Sequence, residues 1–251
     1  MKLSYIITCI AGASIALAAC KKNTFHVTER DIITNTALIK IGYFSPSINN
    51  QGIQLKVNGT RVSNNFVYPI AFPGGGLNTG GSNNSDYVTV VPGETTITLS
   101  VPKVGSAEDS VPVLTYSQAL AANKKYTFFT TDSVPNVSGI IVEDDTAPID
   151  TGARIKLINL VPNVPAVDFY QKGVLVRANV KYKEVTEYIT IQAGNDVWVI
   201  RRAGAPITEA PLSPPTQAIN TVRQRIYTFL ARGWQGGTGT LNPRVSAIFV
   251  Q

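Results

Sequence analysis

Most of the reactive side chains in this 251-residue chain crowd at one end: Cys9, Cys20 and His26. From Val27 to Gln251 there is neither cysteine nor histidine. A Ser-His-Asp triad needs the imidazole and a thiolate nucleophile needs the sulfur. Zinc, haem and iron–sulfur centres need one or both, so none of these chemistries has residues to use in the body of the chain. What remains is oxygen chemistry. Two carboxylates about 5–9.5 Å apart would serve a glycosidase, but no acids pair in a recognisable motif. The densest acidic group is Glu143-Asp144-Asp145 with Asp150. Hard oxygen ligands could hold Ca²⁺, which takes about six to eight oxygens; the spacing fits no calcium loop, and a solvated linker with Pro148 and Gly152 is the alternative. The expectation is a protein that is not an enzyme, with no cofactor and no metal.

Met1-Lys2-Leu3 gives a positive start, and Tyr5 to Leu17 is a mostly apolar run of 13 residues closing on small side chains. That is the layout of an export signal. It is too short to span a bilayer, which takes about 20 residues. The run ends Leu17-Ala18-Ala19-Cys20, which resembles the bacterial lipobox. The resemblance implies a signal peptide over 1–19, cleavage before Cys20, and lipid attachment at Cys20 through its thiol and its new amino group. Cys9 would leave with the signal, so no disulfide is expected. Three acyl chains would anchor durably where a single one holds only marginally. The expected address is the cell envelope, lipid-anchored at the outer membrane of a Gram-negative bacterium. Formal charge is +6, from 22 Lys+Arg against 16 Asp+Glu. The basic residues come at most in adjacent pairs, as at Lys21-Lys22, Lys124-Lys125 and Arg201-Arg202. This argues against nucleic acid and suits Lys21-Lys22 to an anionic membrane surface. Residues 20–36 read as a tether.

The elements that would position any site repeat. Ala37-Leu38-Ile39-Lys40-Ile41-Gly42-Tyr43-Phe44-Ser45-Pro46 returns as Ala153 to Pro162 at an offset of 116, and Lys56-Val57-Asn58-Gly59 as Tyr170 to Gly173 at 114. Pro92-Gly93 meets Ala193-Gly194, and Tyr126-Thr127-Phe128 meets Tyr227-Thr228-Phe229, both at 101; Val137 to Val142 meets Val245 to Val250 at 108. Five matches in one order mark a duplication. The runs are short, β-branched or aromatic, and bounded by Gly, Pro and Asn, which is the pattern of strands. A single helical turn at Ser117 to Asn123 is the one exception expected. The fold predicted is all-β: two tandem immunoglobulin-like antiparallel β-sandwich domains, at 37–145 and 153–251, joined by a linker over 146–152. Tyr126 and Tyr227 each stand where a tyrosine corner would. The aromatics expected in the cores are Phe128, Phe129, Tyr170, Trp198, Phe229 and Phe249.

Residues 153–173, above all Val161-Pro162-Asn163-Val164-Pro165-Ala166-Val167-Asp168-Phe169-Tyr170 followed by Gly173, resemble the opening of the DUF4397 domain. The first copy keeps Ser45-Pro46 and Val57-Asn58-Gly59 but lacks the Pro-Ala-Val-Asp core, and is similar to a divergent member. The resemblance carries no activity and no ligand-binding residues. Phe72 to Ser85 is glycine-rich without the Lys-Ser/Thr of a phosphate loop, and reads as a flexible hairpin tip. Trp234, within Gly233-Trp234-Gln235-Gly236-Gly237, is the candidate contact for a ligand or partner, stacking on a sugar or anchoring a protein; packing over a sheet edge is the alternative. The function expected is a non-catalytic binding or structural role in the envelope. The partners expected are the membrane, through the lipid, and an envelope protein or a glycan; a carbohydrate-binding accessory is the second reading.

Overall fold

Short β-branched and aromatic runs give nineteen strands among the residues that the computed structural model describes, 34–47, 49–105, 109–216 and 218–251. The segment expected to be a signal peptide, Cys20, His26 and the stretch expected to be a tether, as far as residue 33, lie outside them. The first copy supplies β1 (Ala37–Gly42), β2 (Gln54–Val57), β3 (Thr60–Arg61), β4 (Ala71–Phe72), β5 (Gly75–Leu77), β6 (Gly80–Gly81), β7 (Val88–Val90), β8 (Gly93–Pro102), β9 (Ser110–Leu120), β10 (Lys125–Thr131) and β11 (Ser138–Asp144). The second supplies β12 (Ala153–Asn159), β13 (Ala166–Gln171), β14 (Val174–Lys181), β15 (Ile189–Ile191), β16 (Asn195–Arg202), β17 (Ala218–Asn220), β18 (Ile226–Arg232) and β19 (Arg244–Phe249). The helical turn expected at Ser117–Asn123 is instead the end of β9, which pairs with β8 as far as Leu120.

Each copy is a two-sheet sandwich. Copy one sets β11-β10-β1-β4, with β7 also on β1, against β3-β2-β8-β9. Copy two sets β15-β12-β18-β19 against β14-β13-β16-β17. Pairing is antiparallel except for β1 with β10 and β12 with β18, which run parallel at equivalent places in the two copies. The tight turn Asn58-Gly59 recurs as Lys172-Gly173 with φ of 48° and 79° against 51° and 78°. Both tyrosine corners form: the Tyr126 hydroxyl accepts the Ala121 amide at 3.2 Å and the Tyr227 hydroxyl that of Val222 at 2.9 Å.

Residues 34–251 form a single compact unit. The reason lies in the strands that open and close each copy. Strands on a half-buried sheet alternate between core and water, yet β10, β12 and β18 are buried almost without interruption. Their odd and even positions serve two different cores. Ile155, Leu157, Tyr227, Phe229, Ala247 and Phe249 fill the second sandwich, with Trp198 edge-on to Phe229 at 4.6 Å. Ile39, Ile41, Tyr126 and Phe128 fill the first. From the opposite faces of the same sheets Phe44, Phe129, Ile158, Leu160, Leu230 and Ile248 make a third cluster, shared by the copies. The two β1-type sheets therefore lie back to back, and the molecule has four sheet layers. Of the aromatics expected in the cores, Phe129 belongs to the shared cluster and Tyr170 is only half-buried.

The glycine-rich segment of copy one is no free tip. β5 and β6 form a hairpin whose β5 pairs with β19 of copy two, Leu77 opposite Ala247 and Gly76 opposite Ile248. A side chain at Gly76 would place its Cβ 2.2 Å from the Ala247 carbonyl oxygen, so close strand contact explains the glycine. The ladders also correct the last repeat match. Tyr126 pairs with Glu143 and Tyr227 with Phe249, an offset of 106 rather than 108. A shift of two residues preserves which face each side chain takes, so the apolar pattern matched equally well at either offset.

Candidate functional site

The repeat brings two lysines to the middle of the molecule. Lys40 on β1 and Lys156 on β12 occupy equivalent positions, on the faces that meet between the copies, and both are buried. Lys40 Nζ donates to the Phe249 carbonyl oxygen at 2.6 Å, and Lys156 Nζ to that of Glu143 at 3.0 Å. Glu143 and Phe249 are themselves equivalent, so each copy's lysine ties the same carbonyl of the other copy. The tyrosines follow the same symmetry: Lys40 lies 4.6 Å from the ring centre of Tyr87, and Lys156 4.8 Å from that of Tyr188. This is an approximate two-fold within one chain.

Beside the lysines the symmetry fails at Asp144. Asp144 ends β11 where copy two has Val250. Its carboxylate is buried, with Oδ1 3.3 Å from Lys156 Nζ, while Oδ2 accepts from the Thr127 hydroxyl at 2.6 Å and the Tyr87 hydroxyl at 3.1 Å. Burial outweighs the attraction of Asp144 and pushes Lys40 down to about 8, and it lowers Lys156 in the same direction. Burial also raises the Tyr87 and Tyr188 hydroxyls, with Asp144 adding to both. Asp144 is thus the ion-pair partner of Lys156 and, with Asp86, attracts Lys40, yet for both lysines desolvation is the larger effect.

At the far end of the seam the copies clasp a second time. Tyr68 and Tyr182 are equivalent at the 114 offset. The Tyr182 hydroxyl accepts the Asp132 amide at 2.7 Å and donates to its carboxylate at 2.9 Å, and Lys183 pairs with the same carboxylate at 2.9 Å. On the other side buried Arg232 donates to the Ser246 hydroxyl at 2.7 Å, the Tyr68 hydroxyl at 3.3 Å and the Asn78 carbonyl, fastening the β5–β6 hairpin. Reading strands for alternation could not find this seam, because Lys40, Lys156 and Arg232 sit where a sandwich strand ordinarily faces water.

The acidic cluster divides between different cations. Glu143 pairs with Lys124 at 2.6 Å on the surface, Asp144 turns inward to Lys156, and Asp145 pairs with Arg154 at 3.0 Å. Alternation turns Asp144 away from Glu143, Asp145 lies beyond the strand on its own cation, and among the described residues no three carboxylates gather as a metal site would need. Trp234 is 37% exposed, in a turn closed by its amide on the Leu241 carbonyl at 2.8 Å. Beside it a groove of about 450 Å³ runs between the 203–216 connector and the hairpin, lined among others by Arg202, Glu209, Gln235 and Asn242. The DUF4397 family, a domain of unknown function, matches residues 37–170 and again 153–246. No curated protein matches the chain.

Proposed function

From the chain's membership of the DUF4397 family, present here as two copies, we propose a lipid-anchored protein of the cell envelope whose β body is a rigid, non-catalytic structural or binding platform. The observation that carries this reading is the seam. Two sandwiches share a core, exchange lysine–carbonyl bonds and share a strand, which suits a body that holds a surface in fixed geometry on a tether. Cys20, at the end of Leu17-Ala18-Ala19, supports the anchor. Palmitate labelling of the wild type and of Cys20→Ala in cells tests it: label lost in the variant, with the protein leaving the membrane fraction, is the expected result. Label retained by Cys20→Ala, or no label at all, refutes the anchor. A glycan reading draws on the half-exposed indole of Trp234 next to a groove rich in planar polar groups. Glycan-array binding abolished by Trp234→Ala would establish it, and binding unchanged in that variant would remove it.

A further inference from the structure

Sheet edges are where chains add to one another, since their outward N–H and C=O groups have no ladder partner. Among the described residues most edges here are short or charged. β3, β4, β6, β7, β15 and β17 have two or three residues each; β14 carries Arg177 and Lys181, and β11 carries Glu143 and Asp144. β9 is different. It is an edge strand of 11 residues without a single charge, Ser-Val-Pro-Val-Leu-Thr-Tyr-Ser-Gln-Ala-Leu, and Thr115, Ser117, Gln118 and Ala119 along it are exposed. In copy two the corresponding place is closed: Pro206, Pro211, Pro214 and Pro215 precede only the three-residue β17.

The direction of the free groups follows from the neighbouring strand. Thr96 on β8 turns both its backbone groups toward Asn58, its carbonyl accepting the Asn58 amide at 2.8 Å and its amide donating to the Asn58 side chain at 2.8 Å. Ser117 lies opposite Thr96. In an antiparallel ladder such a pair exchanges no backbone bonds, so the N–H and C=O of Ser117 point away from β8, and those of Thr115 and Ala119 do the same by the period of two, the Ala119 carbonyl there accepting from the exposed Gln118 side chain at 3.4 Å. Pro112, which has no N–H, and the bulge opposite Leu99 and Ser100 limit the open ladder to the Val113–Leu120 end.

We propose that β9 is the strand through which two copies of this chain associate, antiparallel about a two-fold axis, joining their outer sheets into one of eight strands. An uncharged strand can lie against its own copy without the like-charge penalty that Arg177 or Glu143 would incur. Because the equivalent edge of copy two is blocked, each molecule offers one such edge. The pairing is therefore isologous and closes at two rather than growing into a filament. A strand-only contact is small among specific interfaces, below about 1,200 Å², so association depends on concentration.

Sedimentation velocity of the purified full chain from 1 to 200 μM tests this, with Ser117→Pro and Ser117→Lys alongside. The proline removes an outward N–H that β8 does not use; the lysine sets like charges near the axis, and each change acts twice across it. Dimer in the wild type, weakened at least about tenfold in both variants, with melting lowered no further than in Ser117→Ala, which also lacks the exposed Thr96–Ser117 hydroxyl bond, is the expected result. If Ser117→Pro fails to fold, Ser117→Lys decides alone. A wild type monomeric throughout the range overturns the proposal, as does a dimer that survives the substitutions.

Discussion

Lys40→Met is the sharpest test of the seam. Burial holds Lys40 at about 8 in the folded protein, against about 10.4 in an unfolded chain. Keeping it charged at pH 7 costs about 3 kcal/mol. Because the folded value is the lower one, the unfolded chain binds more protons between about pH 8 and 10.5, and stability rises with pH across that window. Integrated from pH 7 to pH 9 the gain is about 1 kcal/mol. The tyrosines oppose it: Tyr43, Tyr68, Tyr87, Tyr182, Tyr188 and Tyr227 are all raised by burial. The unfolded chain therefore loses protons first as pH approaches 10, which withdraws a small part of that gain by pH 9. Urea unfolding should show the wild type more stable at pH 9 than at pH 7, by about 1 kcal/mol or more. The lowered Lys156 acts with the same sign and is present in both proteins. The difference between the two pH profiles therefore isolates Lys40, and Lys40→Met should lack about 1 kcal/mol of the rise. At pH 7 the variant should be the more stable by about 1–2 kcal/mol, the desolvation relieved less the cost of leaving the Phe249 carbonyl unpaired. Parallel pH profiles for the two proteins would refute the assignment of a charged lysine to the seam.

Asp144→Ala leaves Lys156 buried without its carboxylate and should cost about 3–5 kcal/mol, whereas Glu143→Ala, which breaks a surface pair with Lys124, should cost under about 1 kcal/mol; urea unfolding at pH 7 compares them. Tyr126→Phe and Tyr227→Phe each remove a corner hydroxyl from a backbone amide and should lower stability by about 1 kcal/mol apiece, additively because the corners share no partner. Gly76→Ala drives a Cβ into the Ala247 carbonyl and should detach the β5–β6 hairpin. Faster amide exchange at Leu77 and Ala247, with little change elsewhere, checks it.

The duplication, the strand pattern and the tyrosine corners were legible because each depends on local spacing: a repeated order of runs, a period of two, a tyrosine opening a strand. The joining of the copies was not. Lys40 and Lys156 alternate with Ile39, Ile41, Ile155 and Leu157 just as water-facing lysines would, and only the second sheet laid over them makes them interior. The β5–β6 hairpin leaves no sequence signal of its pairing with β19, for a related reason. Its glycines permit close contact with β19, a backbone interaction that leaves no apolar periodicity. The exposure of Trp234 was legible in its glycine setting, while the groove beside it depends on the 203–216 connector, whose path the prolines alone do not specify.

The hairpin that completes the second sheet also separates the order of synthesis from the order of assembly. Gly75 to Leu77 leave the ribosome well before Ala153, yet their partner β19 lies almost at the end of the sequence. The first copy therefore cannot place all of its own chain until the last strand exists, and the second cannot close its sheet without a strand that precedes it. A transition that begins in either copy removes a wall from the other, so melting should be a single cooperative event, with coincident transitions by every probe. Cutting the chain at the boundary between the repeats would leave two fragments, each missing part of its own wall.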